Sequence, residues 1–251
     1  MKGLPNMNNF NIDNGFYFGI GVYETISVIN GKLIMADRHW NRMEKGIKKL
    51  GFKPPFSSFE TVIEKADIYL KKNFKEKAAL KVVVSPKNFL FKLRNIPYTP
   101  DQYQKGFSLN ISTVQKNETS IFTYIKSLNN GDNWIEKQTS IKKGFDEPVF
   151  LNSKGMLTEG ATTNLFFVKD KKLYTPSIEC GLLPGTIRDY LLEKYGAREL
   201  VIFPEDIKKY DEMFITNSLM GIMPVSKINK FVFSEREMTQ LIMKDFASRY
   251  F

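Results

Sequence analysis

The dipeptide Asn30-Gly31 constrains the fold of this chain more than any other short stretch. Aromatic and β-branched residues lie on both sides of it between residues 16 and 34. Asn-Gly is the pair that tolerates φ > 0 at both central positions of a two-residue hairpin turn. A helical pattern follows at once: Asp37 is placed to cap it, Trp40, Met43, Ile47 and Leu50 recur at three- and four-residue steps, and Gly51 ends it. Ser57 with Glu60 reads as a capping box for a second helix reaching about Lys72. The run AALKVVVS then reads as a buried strand, and the stretch from Pro86 to Pro100 is mixed and proline-bearing.

The second half opens with the strand FSLNIST. EPVFLN and NLFFVKDKKLYTP follow, the latter a hairpin around Asp170. TIRDYLLEKYG is a short helix closed by Gly196. ELVIF and DEMFIT read as strands, and Ser234 with Glu237 as the cap of a carboxy-terminal helix. Strands alternate irregularly with helices, so the class is mixed α/β or α+β. The expected boundary lies between Asp101 and Gly106, giving a small amino-terminal α/β lobe over 1–104 and a larger lobe over 105–251 that carries Lys126.

Composition narrows the function classes. A chain of 251 residues can build one large core or two lobes. The amino-terminal stretch MKGLPNMNNFNIDNG has no apolar leader pattern, and no run approaches the roughly 20 apolar residues of a membrane span. Cys180 stands alone, which rules out an internal disulfide framework and fits a reducing cytoplasm. With 37 Lys+Arg against 27 Asp+Glu the formal charge is +10. The lysines are dispersed and accompany no nucleic-acid-binding signature, so the charge reads as a solvated surface with a bias toward small anionic substrates, not as a nucleic-acid or membrane face. His39 is the only histidine, which rules out a two-histidine metal site; with no Gly-x-Ser-x-Gly elbow, nothing supports a Ser-His-Asp triad either.

Four segments carry candidate chemistry: Lys126 in TYIKSLNN, Glu159 and Asn164 in EGATTNLF, LPGTIRD from Leu183 to Asp189, and NSLMGIMPV from Asn217 to Val225. Lys126 sits among apolar neighbours, where desolvation favours the neutral amine that attacks aldehydes and shuttles protons. Taken alone, it reads as a solvent-facing lysine, one among many; the segments around it reverse that reading. Pro184-Gly185 precedes a helix whose first-turn amides, those of Thr186 and Ile187, are free donors, the physical basis of a phosphate site.

In order and spacing these segments resemble the fold-type IV pyridoxal phosphate (PLP) enzymes, the class IV aminotransferase family. The resemblance runs from about Phe16 to Val225. It implies a two-lobed fold with the cofactor between the lobes, and Lys126 as the residue that carries PLP. Glu159 would contact the pyridine nitrogen, with Asn164 at the matching place beside it. The phosphate would be met by Arg42 in the pattern His39-x-x-Arg42, by the hydroxyl of Ser218 and by neighbouring amides including that of Leu219, together with those of Thr186 and Ile187. Tyr23 would line the substrate pocket, and His39 would be structural. The family is usually dimeric, which implies a homodimer.

Members of this family either transfer the amino group or, as in aminodeoxychorismate lyase, eliminate pyruvate and release 4-aminobenzoate for folate synthesis. NSLMGIMPV looks like the lyase form of its loop, where branched-chain enzymes more often read Gly-Thr-Ala-Ala-Glu. SPKNFLFKLR lacks the Arg-x-His pattern of D-amino-acid aminotransferases. Both favour the lyase over a transaminase of branched-chain or D-amino acids. The chain departs from the family at Asn130-Gly131, where Tyr and Leu are usual, and at Gly19-Ile20-Gly21, where Gly-Asp-Gly is usual.

Overall fold

The computed structural model describes residues 10–250; the first nine residues of the stretch without a leader pattern lie outside them. The chain divides into two compact units. The first is the chain through Ile96 plus the short segment Ile125–Asn129; the second is Pro97–Tyr124 plus the chain from Asn130 onward. The boundary thus falls at residue 96, not 104, and Lys126 belongs to the first unit, not to the carboxy-terminal one. Backbone pairing accounts for the correction: Tyr23 N–H donates to the Lys126 carbonyl and Leu128 N–H to the Gly21 carbonyl, both at 2.9 Å.

In the first unit, α1 (Asn14–Phe18) is capped by Asp13, whose carboxylate accepts from the amides of Gly15 and Phe16. Residues 16–18 are therefore helical, although their aromatic composition suits a strand. β1 (Val22–Ile29) and β2 (Lys32–Leu33) form the hairpin expected from Asn30-Gly31, with φ of 50° and 76° at the turn. α2 (Ala36–Leu50) starts one residue before Asp37, after a left-handed Met35 with no side-chain cap, so Asp37 lies in the first turn and is not the cap. α3 (Phe59–Lys72) follows Ser58, one residue after the expected Ser57.

β3 (Lys77–Val84) and β4 (Phe89–Arg94) complete an antiparallel sheet of order β2-β1-β3-β4. Val22, Ile26 and Val28 of β1 join Leu80, Val82 and Val84 of β3 in an apolar core with Trp40, Met43 and Ile47 of α2 and Val62, Ala66 and Leu70 of α3. Strand alternation sends Tyr23, Thr25 and Ser27 to the opposite face. There Thr25 pairs with Lys81, and Lys81 with Lys92.

The second unit contains α4 (Pro100–Lys105), β5 (Phe107–Lys116), α5 (Gly131–Lys142), β6 (Glu147–Asn152), β7 (Leu157–Gly160), β8 (Asn164–Lys169) and β9 (Lys172–Pro176). It continues with α6 (Thr186–Tyr195), β10 (Arg198–Leu200), β11 (Glu212–Asn217), β12 (Gly221–Ile228), β13 (Phe231–Val232) and α7 (Glu237–Tyr250). The strands run in the order β10-β9-β8-β11-β12-β5-β6-β7, with β13 beside β12, and a further β7–β8 pairing closes six of them into a ring. Leu109, Val149, Leu165, Phe167, Ile215, Met223 and Val225 lie in the core.

The expected hairpin at Asp170 and the helix stop at Gly196 are present. The strand expected over ELVIF shrinks to three residues. The first-turn amides of α7 are satisfied by Glu212, which accepts from Met238 N and Thr239 N at 2.8 and 2.7 Å, a role expected of Ser234. Among the described residues no helix is long and apolar enough to cross a membrane.

Candidate active site

Lys126 lies where Ile125–Asn129 docks on the start of β1. That docking needs Gly21: a Cβ there would stand 2.7 Å from Leu128 Cδ1 and 2.8 Å from the Val84 carbonyl oxygen. The Lys126 ammonium lies 4.6 Å from the centre of the Tyr23 ring, and Lys81 lies 4.8 Å from the same ring. Two cations on one aromatic ring, each contributing about 0.5–1 kcal/mol at a partly exposed site, orient the amine without committing it to a carboxylate.

On the opposite face of β1, Glu24 is fully buried. Arg42 donates to it through Nε and Nη2, both at 2.7 Å, and His39 Nδ1 lies 2.7 Å from Oε2. Burial alone would raise the Glu24 pKa, but the charges and hydrogen bonds of Arg42 and His39 overcome it and bring it down to about 2. His39 is pushed down from its ordinary value by burial, against the pull of Glu24, with Arg42 and Lys126 adding to the push. The set is therefore carboxylate, neutral imidazole donating from Nδ1, and guanidinium. The guanidinium fork expected to meet phosphate is engaged here on Glu24. No motif marks Glu24 in the sequence; the available signal is a charge on the strand face shared by Val22, Ile26 and Val28.

In the second unit Glu159 and Asn164 face each other across β7 and β8. The loop joining them is drawn to buried Glu147, whose Oε1 accepts from Thr162 N at 2.7 Å and from the Thr162 and Thr163 hydroxyls at 3.1 Å, while Lys137 pairs with Oε2. Glu159 pairs with Lys116 through Oε1 at 3.2 Å and accepts from Leu183 N at 3.0 Å through Oε2. Lys116 also lies over the Phe150 ring at 4.8 Å and donates to Asn133 Oδ1 at 2.6 Å. Asn164 Nδ2 donates to the Leu183 carbonyl at 2.9 Å.

α6 follows directly, with Gly185 at its cap position and no side chain capping its first turn. Thr186 and Ile187 are buried there, and their amides have no partner within the helix by position. Thr186 Oγ1 lies 3.1 Å from Ser218 Oγ, which brings the α6 and β11–β12 segments together. The Leu219 amide, expected to face an anion, donates to Asn217 Oδ1 at 2.9 Å, as does that of Met220, so Asn217 shapes this turn. Asn130 and Gly131 open α5, and a Cβ on Gly131 would touch nothing within 4 Å, so these departures from the family pattern fall at a helix start. Among the described residues no group of three or more His, Cys, Asp or Glu is placed to hold a metal ion.

A family model for class IV amino-transferases matches residues 21–228. An aminodeoxychorismate lyase from Bacillus subtilis is 27% identical over 241 residues, covering 87% of this chain and 80% of that protein. A D-alanine aminotransferase from Bacillus licheniformis is 27% identical over 241 residues, covering 86% and 82%. The crystal structure of 4-amino-4-deoxychorismate lyase from Pseudomonas aeruginosa superimposes with a TM-score of 0.86 at 21% identity, covering 97% of this chain and 96% of that one.

Proposed function

The chain belongs to the class IV amino-transferase family, whose enzymes use pyridoxal phosphate, and from that premise we propose that it is the lyase that converts 4-amino-4-deoxychorismate to 4-aminobenzoate and pyruvate. The half-sites fit the cofactor. A first-turn amide pair flanked by two hydroxyls suits a phosphate, a carboxylate held at both oxygens suits a ring nitrogen, and an amine resting on an aromatic ring suits covalent attachment.

When bound, the cofactor withdraws electrons from the substrate carbon that bears the amino group. Lys126 would hold the cofactor covalently at rest and, once displaced by the substrate amine, take the proton from that carbon. Glu159 would keep the ring nitrogen protonated, with Lys116 and the Leu183 amide fixing the carboxylate. Thr186, Ile187 and Ser218 would hold phosphate oxygens, with Asn217 ordering the turn around Ser218 and Leu219; Arg42 would add its charge, aligned by Glu24. Tyr23 would support Lys126 and line the substrate pocket. The reaction breaks the carbon–oxygen bond to the enolpyruvyl group, which gains a proton and leaves as pyruvate. Atoms balance without water or a second substrate.

The observation that carries the lyase reading is the β11–β12 segment NSLMGIMPV, whose Ser218 meets Thr186 of α6. The cationic sheet face with Lys81 and Lys92 supports an anionic substrate. The D-alanine aminotransferase that is 27% identical over the same length supports a second reading, a transaminase of branched-chain or D-amino acids. We place the enzyme in the cytoplasm as a homodimer acting on small molecules, with no nucleic-acid or membrane partner; exposed Phe16, Tyr17 and Phe18 of α1 support self-association. The test is incubation with aminodeoxychorismate in the absence of any 2-oxo acid. The lyase releases equal amounts of 4-aminobenzoate and pyruvate. No release there, with amino transfer once a 2-oxo acid and a D- or branched-chain amino acid are supplied, establishes the second reading instead.

A further inference from the structure

Leu183 is gripped on both sides. Its amide donates to Glu159 Oε2 at 3.0 Å, and its carbonyl accepts from Asn164 Nδ2 at 2.9 Å. The two side chains doing this face each other across β7 and β8, so a single strand pair controls both peptide groups of Leu183. The other end of the Asn164 amide completes the arrangement: its Oδ1 lies 2.0 Å from where a Cβ on Gly185 would stand. Gly185 has φ −80° and ψ 143°, a conformation open to any residue. The constraint at Gly185 is therefore one of space and not of backbone conformation: a Cβ would push the Asn164 amide out of the position in which it holds the Leu183 carbonyl. Ordinary contact begins at 3.4 Å, so admitting even a methyl group means moving one partner by more than an ångström.

We propose that Asn164 and Gly185 form a lock that sets where the first turn of α6 stands. Asn164 is then a positioning residue for the amides of Thr186 and Ile187 and not itself a cofactor contact. Through Leu183 the lock ties the phosphate end of the site to Glu159 at the ring-nitrogen end. The proposal rests on reading the amino end of α6 as the phosphate-holding element. A donor pair displaced by an ångström loses the alignment that anion binding at a helix terminus depends on, and the effect is confined to that first turn.

The test titrates PLP, and separately pyridoxal, which lacks the phosphate, into apoprotein of the wild type, Gly185→Ala, Asn164→Ala and the double variant N164A/G185A. Visible absorbance reports binding, and apoprotein melting temperatures are measured in parallel. Gly185→Ala should weaken PLP on the order of ten-fold or more and pyridoxal by a clearly smaller factor, the expected scale for donors misplaced by an ångström. Asn164→Ala should weaken PLP by a smaller factor. The double variant should bind PLP more tightly than Gly185→Ala, because the colliding oxygen is gone. If Gly185→Ala does not fold, folding of the double variant is the same rescue, and the Asn164→Ala titration supplies the affinity. Equal loss of both ligands, wild-type PLP binding by Gly185→Ala or Asn164→Ala, or additive effects in the double variant would overturn the lock. A wild type that binds no PLP overturns the cofactor reading and the lock with it; a wild type that binds PLP beside indifferent variants overturns the lock alone.

Discussion

Glu24, His39 and Arg42 of the first unit form a side-chain cluster in which a fully buried carboxylate is held by an imidazole and a guanidinium. The half-site around Leu183 in the second unit is made mostly of peptide groups, shaped by Asn164, Gly185 and Asn217. A side-chain cluster is strong and titratable, and it fails when one member is removed, because the others are left buried and uncompensated. A backbone cup has little to titrate and tolerates changes of charge nearby, but it depends on volume and on the direction of each N–H. The two units are thus exposed to different kinds of damage.

The largest effect is expected at Arg42. Arg42→Ala strands the Glu24 carboxylate and should cost about 3–5 kcal/mol of stability, together with much of the PLP affinity. Chemical denaturation and PLP titration measure the two losses. If both are unchanged, the side-chain cluster has been misread.

Glu159→Gln sharpens the second unit's side. The fold and bound PLP should persist while kcat falls on the order of 100-fold, because the lost charge matters as negative charge develops on the ring. Wild-type turnover with a lowered melting temperature would reduce Glu159 to a packing role.

A pH titration separates the units next. His39 has a lowered folded pKa, so its contribution is present above its ordinary value of 6.5 and is lost as pH falls below it. Between pH 6.5 and 5 stability should fall by at most about 1.4 kcal/mol per pH unit from this group. Glu24 follows, its contribution present above its ordinary 4.5 and lost down to about 2. Melting temperatures of the wild type and His39→Gln across this range should differ in slope; parallel curves would contradict the assignment.

Ser218→Ala is the mildest change. Losing one hydroxyl beside Thr186 should cost about 1 kcal/mol, roughly five-fold in PLP affinity, since the backbone donors remain. A loss as large as that of Arg42→Ala would mean that the cup relies on side chains after all.

The same contrast explains what could be read in advance. The Asn30-Gly31 turn, the apolar period of α2 and the ordered segments around Lys126, Glu159 and Ser218 are local patterns, and local patterns survive in a linear text. The membership of Lys126 in the first unit comes from pairing with Gly21 and Tyr23, about a hundred residues away, which no local period encodes. Glu24 was legible only as a charge out of place on an apolar face. α5 has no apolar stripe to betray it, with Trp134, Ile135 and Ile141 exposed. The space that a Cβ on Gly185 would need is occupied by Asn164, on β8.

Lys126 as the carrier of the cofactor is open to chemical labelling. Borohydride reduction of the PLP-loaded protein, followed by peptide mapping, tests it most directly. The expected result is a single pyridoxyl group on Lys126 and, for Lys126→Ala, no label and no turnover; label on another lysine such as Lys81 or Lys116, or turnover retained without Lys126, would overturn that role.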